Sequence, residues 1–136
     1  MRTTLLRTTL RDERGASAVE FAFILPLLIV LVLGIAEFGH AFQVQGTLSA
    51  AAREGVRAMA LRNNPVDAKA VVREAASSLD PDITDAQITI TPASCPVTGT
   101  ANTTVRLTVT YPMPFLTGFF GSGVTLSGTG VMRCNG

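Results

Sequence analysis

Gly15-Ala16-Ser17-Ala18-Val19-Glu20-Phe21-Ala22 opens an apolar run that reaches Ala36, and Glu20 is its only charged side chain. A helix of about 20 such residues is what a bilayer requires. An acidic group inside it costs several kcal/mol unless it finds a partner or lies near the interface. That expense marks Glu20 as a functional residue. Arg2, Arg7, Arg11 and Arg14 precede the run, and no Lys or Arg follows it until Arg53. The positive-inside rule then leaves the N-terminus in the cytoplasm and places the remaining chain outside the cytoplasmic membrane.

Working outward, residues 1–14 are polar and arginine-rich, with no apolar periodicity, and read as a cytoplasmic leader. Two processing schemes compete. An ordinary secretory signal would use Gly34-Ile35-Ala36 and cut before Glu37, but the run is long for such a signal and Glu20 would be wasted in it. Cleavage after Gly15 would instead leave a new α-amino group on Ala16. Glu20 lies four residues on, so it shares a helix face with that amine and could pair with it on the same or a neighbouring chain. The alternative for Glu20 is a lone glutamate, protonated or snorkelling to the interface. Pro26 removes one backbone hydrogen bond and should kink the helix.

Helical patterning continues past the run. Phe38, Phe42, Leu48, Ala52, Val56 and Met59 recur on what reads as one face, with Gln43, Gln45, Ser49, Arg53, Glu54 and Arg57 on others. Gly46 and Gly55 weaken this helix by about 1 kcal/mol each. One helix from about Ala16 to Leu61 is expected, roughly 70 Å long. Asn63-Asn64-Pro65 ends it. Asn64 then caps a second helix, with Pro65 in its first turn and Ala68, Val71, Val72, Ala75 and Leu79 on its apolar face, closing near Ser78. Beyond it the period becomes alternating. Ile88 and Ile90, then Val105, Leu107, Val109 and Tyr111, then Val124, Leu126 and Val131 or Met132 mark about three threonine-rich strands. Gly118, Gly121 and Gly123 belong to the loop between the second and third strands, and they match no phosphate-binding motif. The expected fold is α+β: a long N-terminal transmembrane helix continuing into an exported domain, with a second helix and a small antiparallel sheet.

Little in the chain points to catalysis. With 136 residues, a mean hydropathy of +0.38 and a net charge of +1, it offers one small domain beside the membrane segment and no basic footprint for nucleic acid. The single histidine, His40, lies one turn from Glu37, which reads as a polar pair at the membrane interface rather than a metal site. No cofactor motif is present. Cys95 and Cys134 fit no zinc spacing. On an oxidising side of the membrane they would form a disulfide closing a loop of about 40 residues, for which chain entropy gives about 4 kcal/mol; the other reading is two unpaired small apolar residues. Asn102-Thr103-Thr104 matches a glycosylation triplet, a pattern common by chance.

Gly15-Ala16-Ser17-Ala18-Val19-Glu20-Phe21-Ala22, Leu25-Pro26-Leu27-Leu28 and Gly34-Ile35-Ala36-Glu37-Phe38-Gly39 closely resemble the TadE-like proteins of tight-adherence (Flp, type IVb) pilus systems. The resemblance is specific across about residues 14–60 and looser beyond, where Val105-Arg106-Leu107-Thr108-Val109-Thr110-Tyr111 suits the same family. It implies a pilin-like fold and a minor pilin or pseudopilin, processed by a prepilin peptidase between Gly15 and Ala16. It also implies Glu20 as the recognition and assembly glutamate. The domains would be a leader over 1–15, a transmembrane helix over 16–36 and an exported pilin-like domain over 37–136. The partners would be the prepilin peptidase, other pilins, the pilus assembly machinery and the lipid bilayer. Phe21 stands where major pilins often carry Tyr, which agrees with the accessory class. The alternative is a signal-anchored envelope protein whose exported domain binds a ligand or partner without a pilus role.

Overall fold

The computed structural model describes residues 9–96 and 103–134. Arg2, Arg7 and most of the expected leader therefore lie outside the described residues, as does Asn102 of the glycosylation triplet. The chain divides into two compact units, Met1–Phe38 and Gly39–Gly136. Helix α1, Thr9–Arg62, belongs to both; α2 (Pro65–Ala75) and strands β1 (Ile88–Thr91), β2 (Thr104–Pro114) and β3 (Gly123–Arg133) belong to the second. The expected α+β order of long helix, second helix and three antiparallel strands is the observed one.

The long helix already includes Thr9, the first described residue, so it does not begin near Ala16. Leu10, Arg11, Glu13 and Arg14 are all good helix formers, and one glycine at position 15 is too small a penalty to stop the helix. It also runs unbroken through Pro26. Asn63 ends it with φ +48, a left-handed residue whose N–H donates to the Met59 carbonyl at 2.9 Å. Asn64 accepts from the Val66 and Asp67 N–H groups, as its type and position require of an N-cap. The second helix stops at Ala75, three residues before the expected end. There Ser77 N–H turns back to the Glu74 carbonyl and Leu79 N–H to Ala76, so tighter bonds replace the α-helical ladder.

Within Gly39–Gly136 the sheet is a meander in the order β1-β2-β3. Val105, Leu107, Val109, Tyr111 and Met113 of β2 are buried, while Thr104, Arg106, Thr110, Pro112 and Pro114 face outward. Pro112 and Pro114 fit inside a strand because β1 ends at the Ile88–Val109 pairing and asks nothing of their missing N–H groups. The core closes with Val44, Leu48, Ala51, Ala52, Val56 and Met59 of α1 and Ala68 and Val72 of α2. Phe38 and Phe42 do not belong to this stripe: they are 70% and 77% exposed. The buried register instead steps by threes and fours through Val44, Leu48, Ala52, Val56 and Met59, with Ala51 beside it, and the two aromatic rings fall outside it.

Three glycines set how closely these layers approach. A Cβ on Gly128 would lie 2.3 Å from the Leu48 carbonyl oxygen, and one on Gly130 would lie 2.5 Å from that of Ala52. Strand β3 therefore rests directly on the α1 backbone. Gly55, which reads in the sequence as a weak point of the helix, allows α2 to cross: a Cβ there would lie 2.3 Å from Val72 Cγ2. Cys95 and Cys134 are joined in a disulfide with their Cα atoms 5.5 Å apart. Asn63 braces it, donating from Nδ2 to the Cys95 carbonyl and accepting from the Cys95 N–H through Oδ1.

Candidate functional site

Gly15 and Ala16 lie within α1, on a helix with every described residue from Gly15 to Val32 exposed. A Cβ on Gly15 would meet nothing within 4 Å. Unlike Gly55, Gly128 and Gly130, this glycine costs helix stability and repays it with no close packing among the described residues. Glu20 is exposed on the same helix, four positions after Ala16 and about 6 Å along the axis from it. The spacing keeps both residues on one face, as i and i+4 positions must be.

Around them the surface is apolar. Val19, Phe21, Phe23, Leu27, Leu31 and Val32 are all more than half exposed. Among the described residues one helix, Gly15–Arg62, is long and apolar enough to cross a membrane, and none of its most apolar window is buried within the protein. A core helix of a soluble domain would hide that surface. The arrangement suggests a single-pass anchor, with its one carboxylate near the N-terminal end of the apolar run.

Glu37 and His40 stand one turn apart where the apolar run ends. Glu37 is 3% exposed, the one buried charged side chain among the described residues, and His40 is half-buried. Each buried side-chain nitrogen and oxygen among the described residues has a hydrogen-bond partner, so this carboxylate is not stranded. No group of three or more His, Cys, Asp or Glu among the described residues could hold a metal ion.

Two polar contacts in the second unit had no sequence signal beyond residue type. Gln45 Nε2 donates to the Ser127 carbonyl at 2.8 Å, tying α1 to the outer edge of β3. Tyr111 donates its hydroxyl to the Pro81 carbonyl at 3.1 Å. Burial, then the charges of Asp80 and Asp82, push its phenol above the usual value.

No curated protein and no solved structure matches the chain. Residues 15–57 match the family model described as TadE-like protein, the family that the sequence resembles, and over that segment, from Gly15 through Glu20 into the last turns of α1, the chain is similar to that family.

Proposed function

We propose that this protein is a minor pilin or pseudopilin of a Flp-type (type IVb, tight-adherence) pilus. Its leader would be removed by a prepilin peptidase between Gly15 and Ala16. The observation that carries the reading is the family match over residues 15–57, which takes in Gly15, Glu20 and the exposed apolar helix together. Cleavage would free the Ala16 amine within reach of Glu20 along one helix face. In a poor dielectric that ion pair is far better than either charge alone, so it would set the register of neighbouring helices during assembly. Glu37 and His40 would lie where the helix leaves the bilayer, with the Glu37 carboxylate shielded inside the protein. The exported domain, on the extracytoplasmic side, would meet other pilins and the assembly machinery.

Mass spectrometry of the membrane-associated protein from its native host tests this directly. A mature N-terminus at Ala16 is expected. A start at Glu37 would make the protein secreted, and an intact Met1 would make it an ordinary signal-anchored envelope protein. Glu20→Ala should abolish its contribution to pilus assembly while leaving the exported domain folded.

A further inference from the structure

We infer that the turn between β2 and β3 is a second membrane contact, seating Leu116, Phe119 and Phe120 in the headgroup–acyl boundary of the bilayer. The inference rests on reading the apolar segment before Gly39 as a bilayer span.

The turn is built rather than loose. Phe115 packs half-buried on the core at its base. Thr117 Oγ1 accepts from the Phe119 N–H at 3.3 Å, and Gly121 N–H donates to the Gly118 carbonyl at 3.3 Å. Gly118 and Gly121 take φ +65 and +120, values that strain any side-chain-bearing residue. The result holds Leu116, Phe119 and Phe120 outward at 61%, 62% and 45% exposure. The two rings meet edge to face with centroids 5.3 Å apart. A solvent-facing turn normally carries polar residues, so an ordered apolar tip signals a partner.

The partner's chemistry follows from charge and position. From Leu107 to Met132 the chain has no Asp, Glu, Lys, Arg or His, so the turn and the strand segments flanking it carry no ionised group of their own into an apolar phase. Position comes from the contacts of β3 with α1 inside the second unit. Gln45 reaches Ser127, Gly128 rests on Leu48 and Gly130 on Ala52, so strand and helix run side by side in the same direction. Going back from Ser127 to Gly123 covers about 13 Å of strand. Going back from Gln45 to Gly39 covers only about 9 Å of helix. The turn thus lies at least level with Gly39, at the end of the unit where the chain arrives from the apolar segment. A bilayer spanned by that segment has its surface there, and amphipathic elements seated in such a surface sink about 5–10 Å.

The chain contains no Trp, so a single introduced indole is an unambiguous reporter. The full chain would be placed in phosphatidylcholine–phosphatidylglycerol vesicles whose acyl chains carry bromine at shallow or deep positions. Three variants serve: Phe119→Trp in the turn, Leu27→Trp in the apolar run, and Val66→Trp at the start of α2, where the side chain is 72% exposed. Phe119→Trp should emit at shorter wavelength than Val66→Trp and lose about half its emission to shallow bromines, unchanged by high salt. Val66→Trp should be unquenched and Leu27→Trp quenched by deep bromines. If Phe119→Trp is as unquenched as Val66→Trp while Leu27→Trp is quenched, the turn does not touch lipid and the span reading stands. A blue-shifted but unquenched Phe119→Trp assigns the turn to a protein partner and overturns the lipid contact. An unquenched Leu27→Trp removes the span and the second contact together.

Discussion

Gly128→Ala should loosen the Gly39–Gly136 unit severely, because the strand that carries it has no room for one methyl group. The new Cβ would sit 2.3 Å from the Leu48 carbonyl oxygen, 2.4 Å from the Leu48 carbonyl carbon and 2.8 Å from the Ser49 nitrogen. All three are backbone atoms, so no rotamer change relieves the clash. Moving the oxygen from 2.3 Å to ordinary contact at 3.4 Å needs a shift of 3.4 − 2.3 = 1.1 Å. Opening the layers by that much forfeits roughly a quarter to a half of the dispersion energy of each contact across them. With the strain of overpacking itself, the cost is about 3 kcal/mol, offset by less than 1 kcal/mol from the lower backbone entropy of alanine. Against a domain stability of about 5–15 kcal/mol this is a large fraction. The assay is urea unfolding of the full chain in detergent with the disulfide intact, followed by the emission of Tyr111, the only tyrosine and a buried one. Gly46→Ala is the matched control: its Cβ meets nothing within 4 Å, so it should gain up to about 1 kcal/mol from helix propensity. If Gly128→Ala unfolds within about 0.5 kcal/mol of the parent, inside the ordinary range of surface substitutions, β3 is not seated on the α1 backbone and the packing argument fails.

Two further effects follow from the same unit. Reducing Cys95–Cys134, 39 residues apart, should lower stability by about 4 kcal/mol on the chain-entropy model; urea curves with and without dithiothreitol check it, and a loss under about 1 kcal/mol would contradict it. The raised phenol of Tyr111 predicts a stability that is level below the unfolded value of 10.0 and falls as pH rises past it, because the unfolded chain ionises first. Tyr111→Phe, followed by circular dichroism, should remove that alkaline slope while costing about 1 kcal/mol at neutral pH for the lost bond to Pro81; parallel pH profiles for the two proteins would sink the assignment.

Much of the fold was legible because its signals are local. Asn64-Pro65 announces its cap, alternating Val, Leu and Thr announces β2, and Glu20 stands out within an apolar run. The misjudged features depend on what lies opposite. Phe38 and Phe42 look like the core face because they are large and apolar, yet the second unit buries small residues, Ala51 and Ala52, so that β3 can come close. The end of α2 is hard to read because Ser77 and Ser78 look compatible with one more turn, whereas the backbone bonds tighten from the Ser77 N–H onward. The candidate site divides in the same way: Gly15, Ala16 and Glu20 are set by spacing along one helix, whereas the burial of Glu37 has no signal in its neighbours.

The apolar span, its single carboxylate, the break at Asn63-Asn64 and the three strands were determined by the sequence alone, since hydropathy, capping and periodicity act over a few neighbouring residues. Which glycines are spacers, which helix face is core, and that the β2–β3 turn carries exposed aromatic rings on the Gly39 side were decided only by tertiary structure. Gly46 and Gly55 are the same residue in the same helix, and one meets empty space while the other lies beneath Val72. Close packing is a relation between elements distant in the chain, and no local pattern encodes it.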